Sequence, residues 1–351
     1  MIEMKNNSVF IIAEAGSNWR MGTPERDMKM AKTLIDIASE AGADAIKFQT
    51  YRAHSVYVPN AGNSDYLSNA GIKESINKIF EDLSMPYEMI PKLAKYSKKK
   101  NIEFMSTPFS VEDAKAIDPY TNYHKIASYE ISHLRLIEYI ASTGKPTFLS
   151  TGASNKEEIK WALETFFSNG GGKITLLQTT AKYPAPISSL NLKAMIDLKN
   201  EFNVDVGLSD HSTDPIIGPV IATALGASVI EKHFTLDKKL PGPDHSFALN
   251  PNQLKEMIRS IRDAEKGLGS GEKVVLDEES ELRDYAQRTI QCIKPISKGD
   301  IFVEGENVNV LRSGKQRKGL HPKFLEKIQG RKSTRNIPIG DGVMEEDYEK
   351  I

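Results

Sequence analysis

The chain has 351 residues, 39% hydrophobic and 26% charged, and its 46 Lys and Arg against 47 Asp and Glu leave a formal net charge of −1. So much apolar content with so little net charge excludes an intrinsically disordered chain, and near-neutrality argues against a nucleic-acid binder, which is usually basic. A single cysteine, Cys292, excludes an internal disulfide framework, and no run nears the ~18 apolar residues of a membrane span.

The polar segment Met1–Asn7 lacks the charged and apolar regions of a signal peptide, so the expected location is cytoplasmic. Apolar runs then recur, each followed by a longer amphipathic stretch: Val9–Gly16, Ala45–Thr50, Ile102–Pro108, Tyr123–Ser128, Pro146–Thr151, Ile174–Thr180, Val204–His211 and Ser228–Thr235. Between them, Ala31–Ala38 carries the helical period and Gly42 stops it. Pro91–Lys100, Lys156–Phe167, Pro215–Leu225 and Pro251–Lys266 read likewise, with Pro91, Pro215 and Pro251 suited to a first helical turn. Near-continuously apolar strands separated by helices imply a parallel sheet covered on both faces. Eight of them over about 270 residues predict a (β/α)₈ TIM barrel, with a doubly wound sheet as the alternative.

After Gly267–Gly271 and the charged run Asp277–Asp284 the character changes to short β-rich segments, with helical character over Pro322–Ile328. The expected organisation is a barrel over residues 1–275, a linker over 276–286 and a small β-rich domain over 287–351. Cys292, in Ile290-Gln291-Cys292-Ile293, reads as a buried apolar residue rather than a nucleophile.

The runs turn polar at their C-terminal ends, which in a barrel converge on the face where active sites are built. His211 and His233 end the seventh and eighth runs, and strands about 4.8 Å apart bring two imidazoles within reach of one metal. Two nitrogens leave coordination positions open for substrate; Mn²⁺, Zn²⁺, Fe²⁺ or Co²⁺ suit imidazole better than Mg²⁺. The alternative is a pair of ordinary structural histidines, the reading given to His54, His124, His133 and His321. Lys47 and Lys125 lie inside apolar strands, where a charge is costly without a partner. With Ser128, Ser150 and Ser209 they read as an anion cradle, as a Schiff-base lysine, or as ion-paired filler against Glu14 or Glu130. Glu14 and Glu130 are candidate acid–base groups. By strand alternation Lys232 points the other way. Asp244 and His245 lie on the loop after the eighth run, on the site side.

These residues sit in motifs that resemble the sialic acid synthases: Ile11–Asn18 around Glu14, Lys47-Phe48-Gln49-Thr50, Ser106–Ser110, Lys125–Glu130, Leu149–Gly152, Gly207–His211, Glu231–Thr235 and Pro241–Asp244, in order over nearly the whole chain. The last ~65 residues, with Val310-Leu311-Arg312 and Gly330–Arg335, resemble that family's antifreeze-like (SAF) domain. The resemblance implies condensation of phosphoenolpyruvate with an open-chain N-acetylhexosamine, usually N-acetylmannosamine, to a nine-carbon 2-keto acid and phosphate. It implies that His211 and His233 hold a divalent metal, typically Mn²⁺, with Mg²⁺ or Co²⁺ as alternatives. It implies that Lys47, Thr107, Lys125, Ser128, Ser150 and Ser209 grip phosphoenolpyruvate, that Gln49, Tyr183 and Asp244 contact the sugar, and that Glu14 and Glu130 manage protons and developing charge. Arg312 matches an arginine lent to the partner's site in a domain-swapped homodimer.

Neutral histidines are needed for metal binding, which predicts activity falling below about pH 6.5. The chain departs from the family pattern at Asn18-Trp19-Arg20-Met21-Gly22, at Ala181 and at Ala286–Thr289, all expected near the sugar. Legionaminic, pseudaminic or spore-coat sugar precursors are therefore alternative acceptors. A Schiff-base aldolase and a non-catalytic carbohydrate-binding protein are the readings from other classes.

Overall fold

A computed structural model describes residues 8–63 and 73–350. The chain divides into two compact units, Met1–Gly269 and Ser270–Ile351.

In the first unit the strands are β1 (Phe10–Gly16), β2 (Ala45–Thr50), β3 (Glu103–Pro108), β4 (His124–Ile126), β5 (Thr147–Ser150), β6 (Ile174–Thr179), β7 (Asp205–Asp210) and β8 (Val229–His233). They form one parallel sheet in the order β3-β2-β1-β8-β7-β6-β5-β4. The ends of that order, β3 and β4, lie side by side, and the Thr121 hydroxyl donates to the Phe104 carbonyl across the seam. A sheet whose first and last strands meet is a barrel, which rules out the doubly wound alternative.

Helices follow the strands where the period places them. Pro24–Ala41 is capped by Thr23 and stopped by Gly42 at φ 90°, and Pro251–Leu268 starts on a reciprocal Asn250–Gln253 cap with proline in its first turn. Two helix starts differ from expectation. The helix expected from Pro91 begins at Met89, and the one expected from Pro215 begins at Ile217, where Asp214 Oδ1 accepts from the Ile216 and Ile217 amides. None of the helices among the described residues is long and apolar enough to cross a membrane.

Alternation along the strands sorts the barrel into tiers. Phe10, Ile12, Ala45, Met105, Tyr123, Phe148, Leu177 and Val229 form an inner apolar plug, with Phe10, Tyr123 and Phe148 in mutual ring contact at 5.1–5.9 Å. Gly207 completes it because a Cβ there would lie 2.3 Å from the Val229 carbonyl oxygen and 2.8 Å from a Leu177 methyl. Two residues further along each strand, toward its C-terminal end, the inward side chain is polar: Glu14 above Ile12, Lys47 above Ala45, Thr107 above Met105, Lys125 above Tyr123, Ser150 above Phe148, Ser209 above Gly207 and Glu231 above Val229. Intervening residues such as Ile11, Ile46, Leu176, Leu208 and Ile230 pack outward with the helices in the main core. The active-site tier is thus the same inward register as the plug, continued upward.

The second unit pairs β9 (Arg288–Cys292) antiparallel with β10 (Val308–Arg312), over a core that includes Ile290, Cys292, Phe302, Val308, Ile337 and Val343. Residues expected to link the domains form a 3₁₀ turn, Asp277–Glu279, and a helix, Ser280–Ala286. Cys292 is buried and burial pushes its thiol up to about 12, so it is no nucleophile.

Candidate active site

The polar tier is a connected network. Lys47 Nζ donates to Thr107 Oγ1 at 2.9 Å and stands between two carboxylates, 2.5 Å from Glu14 Oε2 and 3.6 Å from Glu231 Oε2. Gln49 Nε2 donates to Glu14 Oε1 at 3.2 Å, and Ser209 Oγ donates to Glu231 Oε1 at 2.9 Å. Across the barrel Lys125 Nζ donates to Ser150 Oγ at 2.6 Å and to the Ile126 carbonyl at 3.0 Å. Ser128 Oγ accepts from the Gly152 amide at 3.0 Å. The ion pair expected of a mere filler lysine is therefore present at Lys47, but it is incomplete: Glu231 Oε2 is buried without a hydrogen-bond partner.

Burial in the barrel drives the electrostatics. It pushes Glu14 up to about 7 against the pull of Lys47. In Glu231 burial is outweighed by the Lys47 and Lys125 ammonium groups, which hold it below the usual carboxylate value. The two carboxylates share one ammonium, so they titrate as a unit. Burial also opposes the Lys47 charge, yet Glu14 and Glu231 outweigh it and keep that ammonium above its ordinary value. Lys125, with less compensation, falls to about 8.

The imidazoles stand beside this tier. His211 and His233 rings are 5.6 Å apart centre to centre, with the Tyr183 ring tilted by 31° and 4.1 Å from His211 and Phe247 5.2 Å from His233. His211 Nδ1 lies 2.8 Å from the Thr180 carbonyl. A carbonyl only accepts, so that nitrogen carries the proton and Nε2 keeps a lone pair. His233 Nδ1 is buried without a hydrogen-bond partner, 3.9 Å from Asp244 Oδ2. Burial lowers His211 to about 4 and His233 well below its ordinary value. Two neutral imidazoles with nitrogen lone pairs to give are a donor set that fits a divalent cation with several positions open. Among the described residues no cluster of three or more His, Cys, Asp and Glu could hold a metal. The acid limb expected near 6.5 moves lower, because these imidazoles stay neutral there.

A cavity of about 800 Å³ is lined by Gln49, Tyr183, His233 and Asp244, and also by Tyr129, Glu130 and His133. Burial brings Asp244 up to about 6 and Glu130 up to about 7. Gly16, at φ 52°, lets the chain pass under Asp244: a Cβ would lie 2.9 Å from its Oδ2.

Within the first unit the structure gathers Glu14, Lys47, Gln49, Thr107, Lys125, Ser150, Ser209, His211, His233, Tyr183 and Asp244 in and above the tier, with Glu130 lining the cavity and Ser128 outside its lining, bonded to the Gly152 amide. Arg312 lies exposed at the end of β10 in the second unit. His124 is structural, bonded to Asp118 at 3.0 Å, whereas His133 lines the cavity. Trp19 and Arg20, expected near the sugar, are elsewhere: Trp19 is buried, and Arg20 pairs with Asp27 and Asp82 at 2.6 and 2.8 Å. Glu231 was visible as a site-facing residue but unassigned; its place two residues before His233 is the signal that puts it in the tier. Phe247 carried no signal.

A parallel eight-stranded barrel with a charged tier at the C-terminal ends of its strands is the architecture of a barrel enzyme. Residues 34–273 match the family model described as NeuB family, and the chain belongs to that family, the synthases of nonulosonic acids. It is 40% identical over 359 residues to the spore coat polysaccharide biosynthesis protein SpsE of Bacillus subtilis, covering 98% of this chain and 94% of that one. It is 38% identical over 348 residues to a pseudaminic acid synthase of Campylobacter jejuni, covering 98% and 97%. The crystal structure of the N-acetylneuraminic acid synthetase of Leptospira borgpetersenii superposes with a TM-score of 0.69 at 32% identity, over 79% of this chain and 90% of that one. The protein is an enzyme of this synthase class.

Proposed function

We propose that the chain condenses phosphoenolpyruvate with the open-chain form of an acetamido hexose, giving a nine-carbon 2-keto sugar acid and phosphate. N-Acetylmannosamine is the expected acceptor; precursors of legionaminic, pseudaminic or spore-coat sugars are the alternatives. One observation carries the reading: two buried ammonium groups, Lys47 and Lys125, share a tier with Thr107, Ser150 and Ser209 beside two neutral imidazoles.

In this reading Lys47 and Lys125 bind the anionic groups of phosphoenolpyruvate, and Thr107, Ser128, Ser150 and Ser209 hold its oxygens. Gln49, Tyr183 and Asp244 orient the sugar so that its aldehyde carbon meets C3 of the enol. His211 and His233 hold a divalent cation, Mn²⁺ expected, with Mg²⁺ or Co²⁺ as alternatives. When bound, that cation supplies Lewis acidity to the sugar carbonyl. The new C–C bond leaves positive character at C2. Glu14 and Glu231 place fixed negative charge near it, which needs no reorganisation at the moment of reaction. Glu14, poised near 7, takes the proton from the water that adds to C2, and the C2–O bond to phosphate then breaks. Glu130, also near 7, serves the proton transfer to the former aldehyde oxygen. Arg312 is the residue that a partner subunit contributes in a domain-swapped homodimer, with residues 287–351 as its antifreeze-like domain.

Lys47, held charged between carboxylates, is a poor amine nucleophile, which disfavours a Schiff base there. The test is phosphate release from phosphoenolpyruvate with Mn²⁺ across a panel of acetamido sugars. The expected result is sugar-dependent release, abolished by EDTA and accompanied by no borohydride-trapped adduct. Release that survives EDTA, or trapping at Lys47 or Lys125, would overturn the reading.

A further inference from the structure

Asp244 stands on a stretch of chain with no framework of its own. Residues 235–248, between β8 and the helix Pro251–Leu268, form neither helix nor strand. The ends of that loop are stapled together: the Leu249 amide donates to the His233 carbonyl at 2.9 Å, and the Thr235 amide to the Leu249 carbonyl at 2.9 Å. Between the staples a buried side-chain bond crosses the loop. His245 Nδ1 and Thr235 Oγ1 share a hydrogen bond at 2.6 Å, and both residues are buried. Thr235 Oγ1 also meets the Asp237 carbonyl and amide at 3.2 and 3.3 Å, so one hydroxyl joins the start of the loop to the imidazole near its end. Gly242 lies against that ring, where a Cβ would be 2.9 Å from His245 Cδ2.

Neighbouring residues of the loop face opposite ways. Asp244 lines the cavity, 3.9 Å from His233 Nδ1, whereas His245 turns into the loop and is 2% exposed. Phe247 packs against His233 and Tyr183 with ring centres 5.2 and 5.3 Å away. An apolar side chain at 245 would fill the same space, but a hydrogen bond has a direction and a length, and so fixes where the loop sits along β8. The groups placed on phosphoenolpyruvate stand on strands: Lys47 on β2, Thr107 on β3, Lys125 on β4, Ser150 on β5 and Ser209 on β7. Asp244 does not, and its place is set by the loop. We infer that His245 is a positioning residue for the acceptor sugar: its bond to Thr235 holds the loop so that Asp244 meets the sugar while the aldehyde lies beside the enol. The inference rests on the synthase reading above and adds a residue to the acceptor half of that same site.

The readout is phosphate released from phosphoenolpyruvate by the full chain with Mn²⁺. KM is measured separately for phosphoenolpyruvate and for the acceptor, N-acetylmannosamine or whichever sugar of the acetamido panel the wild type turns over fastest. Thr235→Val removes the hydroxyl at unchanged shape. His245→Gln removes the partner at Nδ1, its amide reaching instead to the place of Nε2, while His245→Asn keeps an amide atom at the place of Nδ1. Thr235→Val and His245→Gln are each expected to lower kcat/KM for the sugar by about 10- to 100-fold, the scale of a misplacement of about 1 Å. The loss should fall mainly on the sugar's KM, with KM for phosphoenolpyruvate within about twofold of wild type. The double variant should be no worse than the weaker single one, because the two groups make one bond, and His245→Asn should recover most of the loss. A residue that merely stabilised the fold would lower kcat with the folded fraction and leave both KM values alone. Sugar KM unchanged in both Thr235→Val and His245→Gln, the two KM values rising together, or additive losses in the double variant would overturn the inference while leaving the synthase reading in place. Should Thr235→Val fail to fold, the His245 variants decide, and an equal sugar KM in His245→Asn and His245→Gln overturns it. Wild-type release with no sugar of the panel would overturn both.

Discussion

Two lysines lie buried in one barrel, on the strands either side of β1, and are treated in opposite ways. Lys232, on the outward side of β8, donates to Asp210 Oδ2 at 2.6 Å, to the Ser212 carbonyl at 2.7 Å and to Ser212 Oγ at 3.2 Å, while Asp210 also accepts from the Ser212 amide at 2.7 Å. All three ammonium protons have acceptors, and the pair ties β7 to β8 one residue before each of the two imidazoles. Lys47, on the inward side of β2, has Thr107 and two carboxylates that it cannot both satisfy; one Glu231 oxygen is left without a hydrogen bond. A saturated buried pair is scaffold. An unsaturated one is a candidate for function. Residue type and burial are the same in the two cases; what separates them is whether the local acceptor count closes.

The contrast can be broken in order of expected effect. The largest loss is expected at the imidazoles: His211→Ala should lower phosphate release by roughly 10³-fold or more, the scale of removing a Lewis-acid site, with the melting curve little moved. A similar loss in melting temperature would reassign His211 to the scaffold. Next, Lys47→Met should reduce kcat by about 10²- to 10³-fold, as for loss of a preorganised charge, and should shift the titration of Glu14 and Glu231 without unfolding the barrel. Lys232→Met should do the reverse. It leaves Asp210 buried without its cation, which costs about 3–5 kcal/mol of stability, while the fraction that remains folded keeps kcat within about tenfold. Denaturant melts and steady-state kinetics on the two lysine variants together test the division: if both lose mainly activity, or both mainly stability, the distinction drawn from acceptor count is wrong.

The tier was legible because period-2 alternation and strand ends are sequence properties. Once Ile12, Ala45 and Val229 face inward, Glu14, Lys47 and Glu231 must too. Lys232 was correctly turned away from the site by the same rule, but its partner was not visible, since Asp210 is joined to it only by the β7–β8 register. The small apolar cluster of Tyr51, Ile76, Ile79 and Leu83, whose side chains also line the cavity, was not legible at all. Its residues come from short segments between β2 and β3 whose packing depends on tertiary contacts such as Arg20 with Asp82, and no periodicity announces them. An ordinary histidine value sets the expected acid limb near pH 6.5, whereas burial lowers His211 to about 4, which predicts a limb at lower pH.

The smallest effect concerns a carboxyl with no ammonium at all. Glu130 is lifted to about 7 by burial, with the Asp113 charge adding to it. A carboxyl whose native value lies above its unfolded value near 4.5 binds its proton more tightly when folded. Its presence therefore weighs nothing against the fold at low pH, where both states are protonated. The cost grows as pH rises from about 4.5 and is complete above about 7, where the native state must bury a charge that the unfolded chain leaves in water. Glu130→Gln removes the titrating group and keeps the shape. Its melting temperature should match the wild type near pH 4.5 and exceed it by roughly 2 °C at pH 8, on the usual scale of a few degrees per kcal/mol. Glu14 should not behave this way on Glu14→Gln, because Lys47 would then lose its nearer counter-charge and the variant should be less stable at pH 8. Opposite signs at pH 8 from two carboxyls that both sit near 7 would show that it is the partner, and not the proton affinity alone, that sets what each carboxyl costs the fold.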